Sequence, residues 1–185
     1  MHIICLERSI PPRFFTSKFT ALMENLLYLH GLDSTLSNEK RTILEKHFNV
    51  IAPIIDYRND NIDEIIASIF ETNQIQAVVG SSMGGYLSYH ISRQRDLPCL
   101  LFNSALFMRS VVIRFTAQTQ YPNYNNVMNL VLGKKDMVVS STTTYQELVK
   151  DNTIDRINFS IYSNLEHRID LITFEKEFSK FTNSF

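Results

Sequence analysis

Two serines, Ser81 and Ser82, sit between glycines in the stretch Ala77–Ser88, AVVGSSMGGYLS. Gly80-Ser81-Ser82-Met83-Gly84 fits the pattern G-x-S-x-G with Ser82 at its centre. This is the pattern of a sharp strand-to-helix turn that holds a nucleophile in a strained backbone conformation. Gly80 and Gly84 let strand and helix pass closely, and the N–H of Met83 would face a developing oxyanion at the helix start. A phosphate loop would need a G-K-[ST] ending and a dinucleotide site G-x-G-x-x-G, and neither is present. A serine near neutral pH is a poor nucleophile and needs a general base within hydrogen-bond reach. The chain has five histidines, at positions 2, 30, 47, 90 and 167. His47 and His90 fall inside predicted helices, His2 in an irregular opening, and His30 before a loop glycine that it is expected to hold. His167 follows the last predicted strand and is the expected base.

An imidazole in that role needs an orienting carboxylate. Asp136 follows a buried strand, VMNLVL, and is the expected acid. Asp33, Asp56 and Asp170 are the rivals, read as turn-shaping, solvated-turn and helix-start residues. The segment His30-Gly31-Leu32 follows the first strand. There Gly31 is expected to let the backbone turn so that the Leu32 N–H joins that of Met83 in an oxyanion hole.

Those residues need elements that bring them to one place. Short strands that are apolar throughout, LLYLH, NVIAPII, IQAVVG, PCLLFNS, VMNLVLG and INFSIYS, alternate with amphipathic helices. In the helix from Asn61, Ile62, Ile65, Ile66, Ile69 and Phe70 recur at helical spacing, with Asp60 as the expected N-cap. SNEKRTILEKHF is read as one helix through Phe48. Such a pattern predicts an α/β fold with a mostly parallel central sheet and helices on both faces. Ligands bind such sheets outside the carboxyl ends of the strands, and Leu32, Ser82, Met83, Asp136 and His167 all follow a strand.

At 185 residues the chain is expected to form one domain, residues 25–185, after an irregular extension at 1–24 that contains Pro11-Pro12. The formal net charge is −1, with no basic face or acidic tail, which argues against nucleic acid as a partner. No apolar run is long enough to span a membrane. Two cysteines are too few for a disulfide framework and are not spaced for zinc, so a reduced cytoplasmic setting is expected, with no metal.

The segments YLHGLDS, VVGSSMGGYLS, LGKKDMVV and LEHRI, in the order Ser, Asp, His, resemble the α/β-hydrolase superfamily. More narrowly, YLHGLDS, VGSSMGGY and LLFNSAL together resemble the small bacterial esterases of the YqiA/YcfP type. The resemblance implies an α/β-hydrolase fold with a minimal cap and no cofactor. It maps Ser82 onto the nucleophile, Asp136 onto the acid, His167 onto the base, and Leu32 and Met83 onto the oxyanion donors. Ser104 stands where that family tends to have proline, and Leu-Glu precedes His167. The expected activity is hydrolysis of a small-molecule carboxylic ester or thioester with a small acyl group. A non-catalytic binding module on the same fold, and an acyltransferase or perhydrolase using the same triad, are the alternatives. The segment 105–126 lies where lids occur in such enzymes. Its Phe107, Met108, Phe115, Tyr121 and Tyr124 are read either as acyl-pocket lining or as packing residues.

Overall fold

The computed structural model describes residues 23–107, 109–118, 124–150 and 154–184. Residues 1–22 of the extension, Met108 and Tyr121 lie outside the described residues. Six strands form one sheet: β1 (Asn25–Leu29), β2 (Asn49–Ile51), β3 (Ile75–Ser81), β4 (Cys99–Phe102), β5 (Met128–Gly133) and β6 (Ile157–Tyr162). They lie in the order β2-β1-β3-β4-β5-β6 and every pairing is parallel. The helices are α1 (Asn38–Leu44), α2 (Ile62–Thr72), α3 (Met83–Arg95), α4 (Ser141–Lys150) and α5 (Leu171–Thr182).

The period-two alternation of the strands sorts the core into two layers. Leu27, Leu29, Val78, Leu101 and Leu130 face α2, α3 and α4, whose Ile62, Ile66, Leu87 and Leu148 are buried with them. Leu26, Tyr28, Val79, Phe102 and Val131 face the other way, against Ile43 and Leu44 of α1 and Phe174, Phe178 and Phe181 of α5. A chain that first steps from β1 to β2 and then returns past β1 to β3 must reverse its winding. With right-handed crossovers the reversal puts α1 on one face and α2 and α3 on the other.

Two local expectations give way. Asn61, not Asp60, stands at the N-cap position of α2, without a side-chain capping bond, and the Asp60 carboxylate instead accepts the Asp56 N–H at 2.8 Å, closing the turn before the helix. α1 stops at Leu44, where the N–H groups of His47 and Phe48 both turn back to the Leu44 carbonyl. Phe48 is still buried, whereas His47 is exposed with its ring edge-on to Phe178. Between β4 and β5 the described residues form no helix or strand, only an isolated bridge of Arg114 to Asn61.

Candidate active site

The winding reverses at β1 and β3, and the crevice between their carboxyl ends is where a sheet of this kind binds ligands. Gly31 and Leu32 leave β1 there, and Ser82 leaves β3. The turn at Ser82 is tight enough to put a non-glycine residue at φ 52° and ψ −115°, a conformation that costs on the order of 1–3 kcal/mol. Its surroundings hold it: the Ser82 N–H donates to the Phe102 carbonyl, and its own carbonyl accepts from Tyr86 and Ala105. The glycines make the turn possible by leaving room. A Cβ on Gly84 would lie 2.1 Å from the Leu29 carbonyl oxygen, and one on Gly80 would lie 2.5 Å from the Gly84 oxygen. Gly31 acts the same way and not through backbone freedom. It has no positive φ, but an added Cβ would sit 3.2 Å from the Ser82 Cβ.

Neither the Leu32 nor the Met83 N–H donates to an acceptor among the described residues. Met83 is the first residue of α3, so its N–H is one of those a helix leaves unpaired.

Three strand-end loops bring their side chains together. His167 Nε2 lies 3.0 Å from Ser82 Oγ, and His167 Nδ1 lies 2.8 Å from Asp136 Oδ2. A carboxylate only accepts, so Nδ1 carries the proton and Nε2 faces the serine as an acceptor. Asp136 is 7% exposed as a residue and its side chain not at all. Its other oxygen accepts the N–H groups of Val138 and Val139, both at 2.8 Å.

The rival carboxylates have other partners. Asp33 pairs with both terminal nitrogens of Arg58, which holds its pKa below the ordinary value. Asp56 accepts from Asn59 and from the Arg58 N–H within its own turn. Asp170 caps α5 by accepting the Thr173 N–H. His30 is buried under the first loop. Its Nε2 accepts the Ile55 N–H at 3.0 Å, so its Nδ1 donates to the Gly31 carbonyl at 2.7 Å.

One residue that sequence reasoning passed over ties the loops together. Asn103 follows β4, is fully buried and sits at φ 41°. Its side-chain oxygen accepts the Gly133 N–H, at the start of the Asp136 loop. Its amide nitrogen donates to the carbonyls of Glu166 and His167 at 2.8 and 3.1 Å. The two loops also touch directly, with Lys135 N–H donating to the Leu165 carbonyl. The signal in the sequence is Asn directly after a buried strand, a residue that tolerates left-handed backbone.

Ser82 and His167 open onto two cavities, each of about 570 Å³. One is the more polar, with Ser34, Thr35, Ser37, Lys40 and Arg168 in its wall beside Tyr28, Ile169 and Leu171. Leu32, Met83, Ala105, Phe107, Val138 and Val139 give the other an apolar wall. Of the aromatic residues expected there, Phe107 lines the apolar cavity and is 39% exposed. Phe115 packs instead against Tyr86 and His90, and the Tyr124 hydroxyl reaches Ser92. Neither lines the two cavities. Among the described residues no cluster of three His, Cys, Asp or Glu side chains could hold a metal ion.

Comparison with known families decides where this chain stands. Residues 25–131 match the family described as "Uncharacterised protein family (UPF0227)". The chain belongs to that family. The match takes in the first loop, the Ser82 turn and Asn103, and it ends inside β5. No curated protein sequence matches the chain. Among solved structures it is similar to mouse alpha/beta hydrolase domain-containing protein 10, at 12% identity and TM-score 0.62, covering 86% of this chain and 90% of that one. Arabidopsis thaliana SOBER1 is similar at 14% identity and TM-score 0.60, covering 87% and 98%. A Thermoplasma acidophilum protein described as a predicted CIB-like hydrolase gives 14% identity and TM-score 0.62, over 90% and 89%. At such identities the likeness is one of fold, and the UPF0227 chain has the α/β-hydrolase fold.

Proposed function

We propose that this UPF0227 chain is a serine hydrolase of small-molecule carboxylic esters or thioesters. The observation that carries the reading is the unbroken line of hydrogen bonds from Ser82 through His167 to buried Asp136. Beside it, the N–H groups of Leu32 and Met83 have no acceptor among the described residues.

In this reading Ser82 Oγ attacks the acyl carbon and its proton passes to His167 Nε2. The carbonyl oxygen becomes an oxyanion held by the N–H groups of Leu32 and Met83. Each such donor contributes about 3 kcal/mol because it strengthens as charge develops. His167 returns the proton to the departing alkoxide or thiolate, leaving the acyl group on Ser82. Water then attacks the acyl-enzyme, giving its proton to His167, and the carboxylic acid leaves as Oγ regains a proton. Asp136 keeps the imidazole in the required tautomer and stabilises its cationic form. No metal or organic cofactor enters these steps.

No described helix is long and apolar enough to cross a membrane. The reading places the enzyme in the cytoplasm, where the buried free thiol of Cys99 stays reduced.

The test is labelling with a fluorophosphonate, together with a panel of 4-nitrophenyl esters and acyl thioesters. Wild type should label and turn over short acyl groups, and Ser82→Ala should do neither while keeping its melting temperature. A labelled Ser82→Ala protein, or wild type inert toward both, overturns the reading.

A further inference from the structure

Among the described residues, Arg109 is the one arginine or lysine that lines the apolar cavity beside Ser82, and no carboxylate lines it. Arg109 forms no ion pair among the described residues. Arg109 is an exposed residue, but its head group has two partners. Its Nη1 donates to the Leu106 carbonyl at 3.2 Å, and the guanidinium lies 4.1 Å over the ring of buried Tyr86. An arginine with these partners has already lost part of the rotamer freedom that an incoming anion would otherwise have to freeze. The next polar ring in the stack adds no competing charge. Burial, helped by Arg93 and Arg109, lowers the pKa of His90 to about 4.

Apart from Ser110 beside Arg109, and Ser82 and His167 themselves, the remaining wall is apolar, and Leu32 and Met83 both line this cavity. The polar cavity on the other side of Ser82 offers Lys40 and Arg168 alongside Asp33 and Glu39, so charge there is mixed. A methylene chain would therefore run along Leu32, Phe107, Val138 and Val139, and only its end would meet a cation.

We propose that the acyl group is carboxylate-terminated: the substrates are half esters or half thioesters of aliphatic dicarboxylic acids, with Arg109 binding the free carboxylate. The inference rests on the serine-hydrolase reading. It adds no chemical step. The bond to Ser82 Oγ forms at the esterified carbon, the leaving group departs with its proton, and water releases the dicarboxylate.

The pair 4-nitrophenyl hydrogen adipate and 4-nitrophenyl hexanoate differs by one terminal carboxylate, and spontaneous hydrolysis is read from Ser82→Ala. The wild type should favour the adipate by about tenfold in kcat/KM, the scale of one charge-assisted interaction. Arg109→Gln should bring the ratio to near one, and Arg109→Lys should restore part of it. Equal wild-type rates overturn the inference while Ser82-dependent turnover of hexanoate leaves the hydrolase reading standing. A loss in Arg109→Gln that falls equally on both esters also overturns it, and marks Arg109 as a prop for Tyr86. So does an Arg109-dependent preference for 4-acetoxybenzoate over phenyl acetate, which would put the leaving group in this cavity. Absence of any Ser82-dependent turnover or labelling overturns both readings together.

Discussion

Asp136 has one oxygen on His167 and the other on two backbone N–H groups, and that division settles what an amide would do in its place. In Asp136→Asn the carbonyl oxygen must stay on Val138 and Val139, because an NH₂ there would face two donors. The NH₂ group then meets His167 Nδ1 and forces the proton to Nε2, where the ring can no longer accept from Ser82. We expect kcat on a chromogenic ester to fall by roughly 10⁴-fold, with circular dichroism unchanged. Near-normal kcat would return the acid role to another carboxylate. A second residue sets a pH dependence of stability. His90 packs edge-on to Tyr86 and Tyr89, near Phe115, Arg93 and Arg109. Its folded pKa of about 4 lies below the ordinary 6.5, so between those values the unfolded chain binds the extra proton. Stability from this group is full above about pH 6.5 and is lost as pH falls toward 4. The melting temperature of wild type should therefore drop more steeply between pH 7 and 4.5 than that of His90→Phe. Parallel curves would show that His90 contributes nothing to the slope.

At the scale of elements, the site is a set of strand ends, and Asn103 is the clamp that sets their spacing. Asn103→Ala would leave the Gly133 N–H and the Glu166 and His167 carbonyls without their partner, at a cost of about 3 kcal/mol. We expect a lower melting temperature and a fall in kcat larger than any rise in KM, since the base moves relative to Ser82. Asn103→Asp keeps an acceptor for Gly133 but sets a carboxylate against two carbonyls, and should be worse. Wild-type kcat in either variant would mean the loops are held by Lys135 and Leu165 alone. The four inner strands could be read from the sequence because a doubly covered parallel strand is apolar on both faces, as in LLYL or CLLF, whereas the edge strand β2 stops at Ile51, short of the apolar run NVIAPII. The positions of Ser82, Asp136 and His167 could be read because such a sheet sends all its carboxyl ends to one side. The clamp could not. It works only because β4 lies between β3 and β5, and no local pattern states a strand order. The ends of α1 and α2 depart from the sequence expectation for a related reason: Asp60 has a tertiary use in the preceding turn, and the residues after Leu44 fold back on it. Phe115 and Tyr124 were open to two readings because an aromatic residue in an irregular segment has no periodicity to say which way it faces.

For the molecule as a whole, β1 lies inside the sheet between β2 and β3, and Leu26, Leu27 and Leu29 are fully buried. The Asn25 N–H at its start already bonds to the Gln76 side chain. The UPF0227 match also begins at residue 25. We propose that residues 25–185 form the domain. A chain of residues 23–185 should melt within about 3 °C of the full sequence, a difference of under about 1 kcal/mol at this size. It should also keep its esterase kcat/KM. Insoluble product or a much lower melting temperature would assign Phe14, Phe15 and Phe19 to the core.

The all-parallel order of the sheet also has a kinetic meaning. No strand reaches its neighbour through a tight hairpin; a helix or a long loop intervenes every time. Pairings of that kind close large chain loops before they gain anything, so they form late and slowly. His167 and Ser82 are 85 residues apart in sequence, and their hydrogen bond needs β3, β4, β5 and β6 all docked. Turnover is therefore a reporter of the last event in refolding. After dilution from denaturant, far-ultraviolet ellipticity should recover before ester hydrolysis does, and the lag between the two measures how long the chain spends with its helices formed and its strands not yet in order. Simultaneous recovery would mean that sheet and helices form in one step.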